Sequence, residues 1–151
     1  MIVKQEEQLK YLFAFKEGKI KRGLGIGNKL DNWFVHKRGS FTVIVGLDNV
    51  GKTNFMLWYF LCLSVKHNVK WLIWSGENSA GQLTRDLIQM YSQSKLVDLN
   101  KLEIEEYNSK IGKWFTFVSN KKMYNHKDLL KIFKESDCDA CAIDPFTGLN
   151  H

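Results

Sequence analysis

Gly46-Leu47-Asp48-Asn49-Val50-Gly51-Lys52-Thr53 is the stretch that decides how this chain is read. It fits G-x-x-x-x-G-K-[ST], the spelling of a phosphate-binding loop. Before it, residues 41–45 read Phe-Thr-Val-Ile-Val, a compact β-branched run. After it, residues 54–63 read Asn-Phe-Met-Leu-Trp-Tyr-Phe-Leu-Cys-Leu, too long for an ordinary strand. The pattern predicts strand, glycine loop, helix, which is the setting this motif requires. That setting points to one ligand class, a nucleoside triphosphate with magnesium. The alternative is a chance match in a lysine-rich chain, and the flanking segments weigh against it.

The chemistry explains the spelling. Gly46 lets the chain turn sharply as it leaves the strand, and Gly51 lets the backbone approach phosphate with no Cβ in the way. The expected nucleotide-binding set is Gly46, Asp48, Asn49, Val50, Gly51, Lys52, Thr53 and Asn54. Loop amides aim at phosphate oxygens, and the helix N-terminus adds to their field. Lys52 reaches the β- and γ-phosphates. Thr53 holds Mg²⁺ through its hydroxyl.

With 151 residues, the chain is long enough for one core and too short for two comfortable domains. Hydrophobic residues at 44% and charged residues at 25% are ordinary for a globular domain. The first seven residues carry charge where a signal peptide is apolar. The longest mostly apolar run, residues 55–65, falls short of the ~20 residues that a membrane span needs. A buried helix and no membrane partner are expected from it. Cys138 and Cys141 have C-x-x-C spacing, yet positions i and i+3 of a strand face opposite sides. Together with Cys62 they read as buried reduced thiols. His36, His67, His126 and His151 show no ligand spacing.

Charge is uneven. Residues 1–40 hold nine Lys/Arg against four Asp/Glu, so +5 of the net +6 lies there. Such an arm suits nucleic acid or an acidic neighbouring subunit, and equally a solvated tail. Arginine is scarce, with only Arg22, Arg38 and Arg85.

Along the chain, residues 4–17 are expected to be helical, with Leu9, Leu12, Phe13 and Phe15 as a packing stripe or a docking arm. Residues 23–27, Gly-Leu-Gly-Ile-Gly, lack a preceding strand and read as a flexible turn. A short helix is expected near residues 30–35. Strands are expected at 41–45, 70–75, 114–118 and 140–144. A helix over 80–93 is capped by Ser79, with Leu83, Leu87, Ile88 and Tyr91 at helical spacing. Residues 96–110 suggest one or two short helices. Another helix opens at Asn125 or His126, and Leu129, Leu130, Ile132 and Phe133 should pack inward. Strands alternating with helices imply an α/β fold with a mostly parallel sheet flanked by helices, whose ligands sit beyond the carboxyl ends of the strands.

Two acids fall at such ends. Asp144 closes an apolar strand and suits a Walker B aspartate, holding Mg²⁺ mostly through water. The competing reading is an Asp-Pro turn. Glu77 follows the strand at 70–75, where a carboxylate can orient the water that attacks the γ-phosphate. The competing reading is an acid that favours a helix dipole.

At this point the chain resembles a family. Residues 39–53, 71–85 and 142–149 are similar, in that order, to three segments of the ATPase core of DnaB/Twinkle-type replicative DNA helicases, a RecA-like P-loop fold. These are the phosphate loop, a strand ending in Ser-x-Glu (here Ser75-Gly76-Glu77), and the Walker B strand. Residues 24–33 look like the family's approach to the first strand. The resemblance covers roughly residues 23–149. It implies Glu77 as catalytic base beside Lys52, and Lys52 and Thr53 on phosphate and Mg²⁺. It also implies Asp144 on the metal side, ATP as substrate, single-stranded DNA as partner and a homo-oligomer, in the family a hexamer. Residues 1–38 would be the basic arm and 39–151 the N-terminal portion of the ATPase. The short arm is closer to phage-type members, which implies the cytoplasm of a bacterial or phage-infected cell.

The departures count too. The family continues well past Walker B, with a polar sensor, DNA loops and an arginine finger. It also inserts the next strand between the Walker A and Walker B strands, so this chain is expected to have a gap in its sheet and to be a piece of a longer protein or completed by a partner. Alternatives stay open: another RecA-class ATPase (a recombinase, a RadA/KaiC-like protein or a packaging motor), or a nucleotide-binding fragment without turnover. A small-molecule kinase would usually need lid arginines, which are badly placed here.

Overall fold

The computed structural model describes residues 4–20 and 23–149. Lys21 and Arg22 of the basic arm, residues 1–3, and residues 150–151 lie outside the described residues. The chain divides into two units, Met1–Ser40 and Phe41–His151.

In the first unit, helix α1 (Gln5–Lys16) carries Glu6 and Glu7 in its first turn and Lys16 in its last, the arrangement that complements the helix dipole. It buries none of its residues. Leu9, Leu12, Phe13 and Phe15, expected as a stripe, are 45%, 58%, 60% and 52% exposed. Leu9, Leu12 and Phe13 fall at i, i+3 and i+4 on one side and Tyr11 and Phe15 off it, and all five are exposed. The glycine-rich segment is not a loose turn. Asp31 accepts hydrogen bonds from the amides of Ile26 (2.8 Å) and Gly27 (2.7 Å). Leu24 and His36 exchange both backbone bonds. A 3₁₀ turn at Lys29–Asn32, capped by the Asn28 side chain, replaces the short helix.

The second unit is an α/β fold around a three-stranded parallel sheet. Its elements run α2 (Lys52–His67), β1 (Trp71–Ser75), α3 (Ala80–Ser92), α4 (Lys101–Gly112), β2 (Phe115–Val118), α5 (His126–Glu135) and β3 (Ala140–Asp144). The strand order is β2-β1-β3. Trp71 pairs with Phe115 on one side and Ala140 on the other, and Ser75 pairs with Asp144. All five residues of β1 are buried. A parallel strand covered by helices on both faces requires such a continuous apolar run.

The two tryptophans of β1 face opposite ways. Trp71 stacks on Phe60 of α2 at 3.6 Å between ring centroids, and its indole N–H donates to Ser64 Oγ at 3.1 Å. Trp74 packs with Leu129, Leu149, Tyr124, Ile132 and Phe133, which puts α5 on the other face. Leu83, Leu87 and Ile88 bury the inner side of α3, and Ser79 and Gln82 form a reciprocal capping box at its start. Asn100 and Glu103 do the same for α4, and Asn125 caps α5.

In this unit three expectations are corrected. Residues 41–45 form no strand: no described segment pairs with them, and Phe41, Val43, Ile44 and Val45 are 91%, 65%, 42% and 87% exposed. β-branched composition favours extended backbone, but a strand exists only with a ladder partner. Leu130 is 57% exposed, because only Leu129 and the residues one turn on face the sheet. The helix after the glycine loop is buried on one side, with Phe55, Trp58 and Val65 facing outward.

Ser64 is the buried polar joint of the α2–β1 packing. It is 1% exposed, donates to Val69 O at 2.8 Å and accepts from Trp71. Ser64→Ala is expected to cost ~1–3 kcal/mol, the usual penalty for stranding buried polar groups. Urea denaturation followed by tryptophan fluorescence measures it.

Candidate functional site

The loop between residue 45 and α2 is shaped by two left-handed positions, Asn49 (φ 59°) and Gly51 (φ 87°). At Gly51, which is the N-cap of α2, a side chain would be strained although the space in front of it is open. Glycine is needed there for conformation, and the clear space leaves room for a phosphate. Gly46 differs: a Cβ on it would meet Lys52 Cδ and Val50 Cγ2 at 3.4 Å, an ordinary van der Waals contact, so close approach does not demand glycine there.

Lys52 Nζ donates to the carbonyls of Gly46 (2.9 Å) and Leu47 (2.6 Å). The first helical residue thereby draws its own loop closed. An ammonium has three donors, so one remains for a phosphate oxygen. Asp48, Asn49 and Val50 form the exposed tip of the loop, and Asn54 is exposed on the first turn of α2.

Thr53 Oγ1 donates to Asp144 Oδ2 at 2.6 Å in a partly buried setting, across 91 residues of sequence. The start of α2 and the end of β3 therefore share one corner. The amide of Gly76 donates to the carbonyl of Asp144 at 3.0 Å, which places Glu77 one residue beyond that corner. Glu77 itself is exposed. Gly76 lies close to the Trp74 ring: a Cβ there would sit 3.0 Å from it, and the buried ring would have to give by a few tenths of an ångström.

The structure thus brings Gly46, Lys52, Thr53 and Asp144 together, with Glu77 adjacent through the backbone. Among the described residues no group of three or more His, Cys, Asp or Glu could hold a metal ion by itself. One hydroxyl and one carboxylate make a sparse, oxygen-only pair. That fits Mg²⁺, which takes one or two protein oxygens and completes its shell with phosphates and water.

Two residues at this sheet end had no role assigned from the sequence, although Ser75 was part of the Ser-x-Glu spelling. Ser75, 3% exposed, accepts from the amide of Asn78 at 3.0 Å. Asn120, just beyond β2, donates to the carbonyl of Asn78 at 3.3 Å. Their signal was only that they are polar residues at carboxyl ends of strands.

The C-x-x-C pair is not buried as expected: Cys138 is half-buried and Cys141 exposed. Both thiols lie within reach of the Ser136 hydroxyl. A bend at Asp139 precedes β3, so strand alternation does not separate them. No helix among the described residues is long and apolar enough to cross a membrane. Compared with protein-family models, with curated proteins and with solved structures, the chain matches none.

Partial burial raises the pKa of both thiols, and Cys138 raises that of Cys141 further. At pH 7.5 both are expected to react with iodoacetamide more slowly than cysteine in an unstructured peptide. Below the pKa the thiolate fraction rises about tenfold per pH unit, and the labelling rate should follow it. Mass-spectrometric labelling time courses at pH 7, 8 and 9 measure this.

Proposed function

We propose that this chain binds ATP with Mg²⁺ through a P-loop of the RecA-like class, as part of the motor of a DnaB/Twinkle-type replicative DNA helicase. The observation that carries the reading is the bond from Thr53, last residue of the glycine loop, to Asp144 at the end of β3. A chance motif has no reason to deliver its threonine to an acid at the carboxyl edge of a parallel sheet, where such folds place their ligands.

In this reading the loop amides and the α2 N-terminus hold the phosphate tail. Lys52 offers its remaining donor to a terminal phosphate oxygen. Thr53 and Asp144 hold Mg²⁺, which neutralises charge developing on the phosphates when bound. Glu77 orients the attacking water by accepting its proton. Positioning and electrostatics supply the catalysis, because the transferring phosphoryl group needs little covalent help. The acting form would be a homo-oligomer, a hexamer in that family, moving on single-stranded DNA in the cytoplasm of a bacterial or phage-infected cell. The excess charge of +5 in residues 1–40 agrees with a polyanionic partner.

A second reading is nucleotide binding with little turnover. Arg85 is tied to its neighbour Asp86 at 2.7 Å. Without an arginine finger from a neighbouring subunit, hydrolysis is ~10³–10⁵-fold slower. The 151-residue chain alone is therefore expected to bind ATP and turn it over very slowly. Rapid steady turnover by a verified monomer would contradict this.

Two substitutions test the site. Lys52→Ala should weaken ATP binding about ten- to hundredfold, the worth of a hydrogen bond to a charged group, by calorimetry with and without Mg²⁺. In the full assembly, Glu77→Gln should leave affinity unchanged and lower hydrolysis by ~10²–10⁴-fold. Unchanged hydrolysis in Glu77→Gln removes that residue from its role. Hydrolysis by the intact gene product that ignores added single-stranded DNA speaks against the motor.

A further inference from the structure

Glu77 sits in a short loop, residues 76–79, whose backbone is fastened from four directions. The amide of Gly76 is bound by the carbonyl of Asp144 on β3 (3.0 Å). The amide of Asn78 is bound by Ser75 Oγ of β1 (3.0 Å). The amide of Ser79 is bound by the Gln82 side chain of α3 (2.8 Å). The fourth tie is of another kind: Asn120 Nδ2, from the loop after β2, donates to the carbonyl of Asn78 at 3.3 Å. It is the long-range side-chain contact in the set, spanning 42 residues.

The geometry points to Asn120 as a positioning residue for Glu77. The inference rests on the nucleotide reading given above and extends it. The Ser75 bond fixes the peptide plane between residues 77 and 78. The Asn120 bond holds the next plane, between 78 and 79, at its carbonyl end, and the Gln82 bond holds the same plane at its amide end. Together they set the torsions at Asn78 and stop the loop from swinging about its Glu77 shoulder. Glu77 is exposed, so the loop backbone sets the direction of its Cα–Cβ bond and with it the region its carboxylate can reach. A displacement of ~1 Å at a catalytic group can cost ~10²-fold in rate.

Asn120 is also exposed, and its role is separable from stability. Surface substitutions without packing usually change stability by less than ~0.5 kcal/mol. Asn120→Asp keeps the shape of the side chain and replaces the donor with an acceptor that the Asn78 carbonyl repels. Asn120→Ala removes the donor without adding charge.

The test measures four quantities in wild type, both Asn120 variants and Lys52→Ala. They are the thermal midpoint, ATP affinity, hydrogen exchange of the 76–79 amides, and single-turnover ATP hydrolysis followed over hours. For both Asn120 variants the midpoint and affinity should match wild type within error. Exchange at 76–79 should speed up about tenfold while the α2 amides do not change. Hydrolysis should fall about tenfold or more. Unchanged exchange, or faster exchange with unchanged hydrolysis, overturns the inference. So does a wild type that binds ATP through Lys52 but releases no phosphate. If wild type and Lys52→Ala both fail to bind ATP, the nucleotide reading itself has failed, and the inference about catalysis falls with it.

Discussion

The structure depends on β1 being buried on both faces and on both edges. A parallel strand cannot reach its neighbour by a hairpin, so every partner of β1 arrives after a helical crossover. α3 and α4 lead from β1 to β2, and α5 leads from β2 to β3. Those crossovers bring all three strands to a common carboxyl edge. Asp144 lies in register with Ser75, and the loops after β1 and β2 meet through Asn78 and Asn120. The polar cluster at that edge is a consequence of the apolar run Trp-Leu-Ile-Trp.

The glycine loop reaches this edge from the helix side. α2 is held by Leu57, Leu63 and Ser64 in the core, by the Phe60–Trp71 stack, and at its first turn by Thr53. The segment that leads into the loop contributes no ladder. The loop is therefore placed by the packing of α2, and its closure by Lys52 is local. The left-handed turns at Asn49 and Gly51 suffice to reverse the chain without a strand behind them.

Much of this was legible. The glycine loop, the helix after it, three of four strands, the caps at Ser79 and Asn125 and the two acids at strand ends were readable because each rests on local chemistry. A capping side chain, a positive-φ glycine and an apolar run bounded by turns are properties of a few consecutive residues. The errors share a cause. Residues 41–45 have strand composition but no ladder partner among the described residues, Leu130 has core composition but the wrong helical angle, and Cys141 has buried-residue chemistry at an exposed position of the edge strand β3.

By itself the sequence determined where the main helices run, where the chain must bend and which polar residues stand in the glycine loop and at the strand ends. Periodicity, capping and glycine conformations act over one or two turns of chain. Only the tertiary structure decided that Thr53 meets Asp144, that Gly76 lies against the Trp74 ring, and that Asn120 reaches the carbonyl beside Glu77. Those contacts join residues far apart in the chain, and strand order and register, which no single segment encodes, set them.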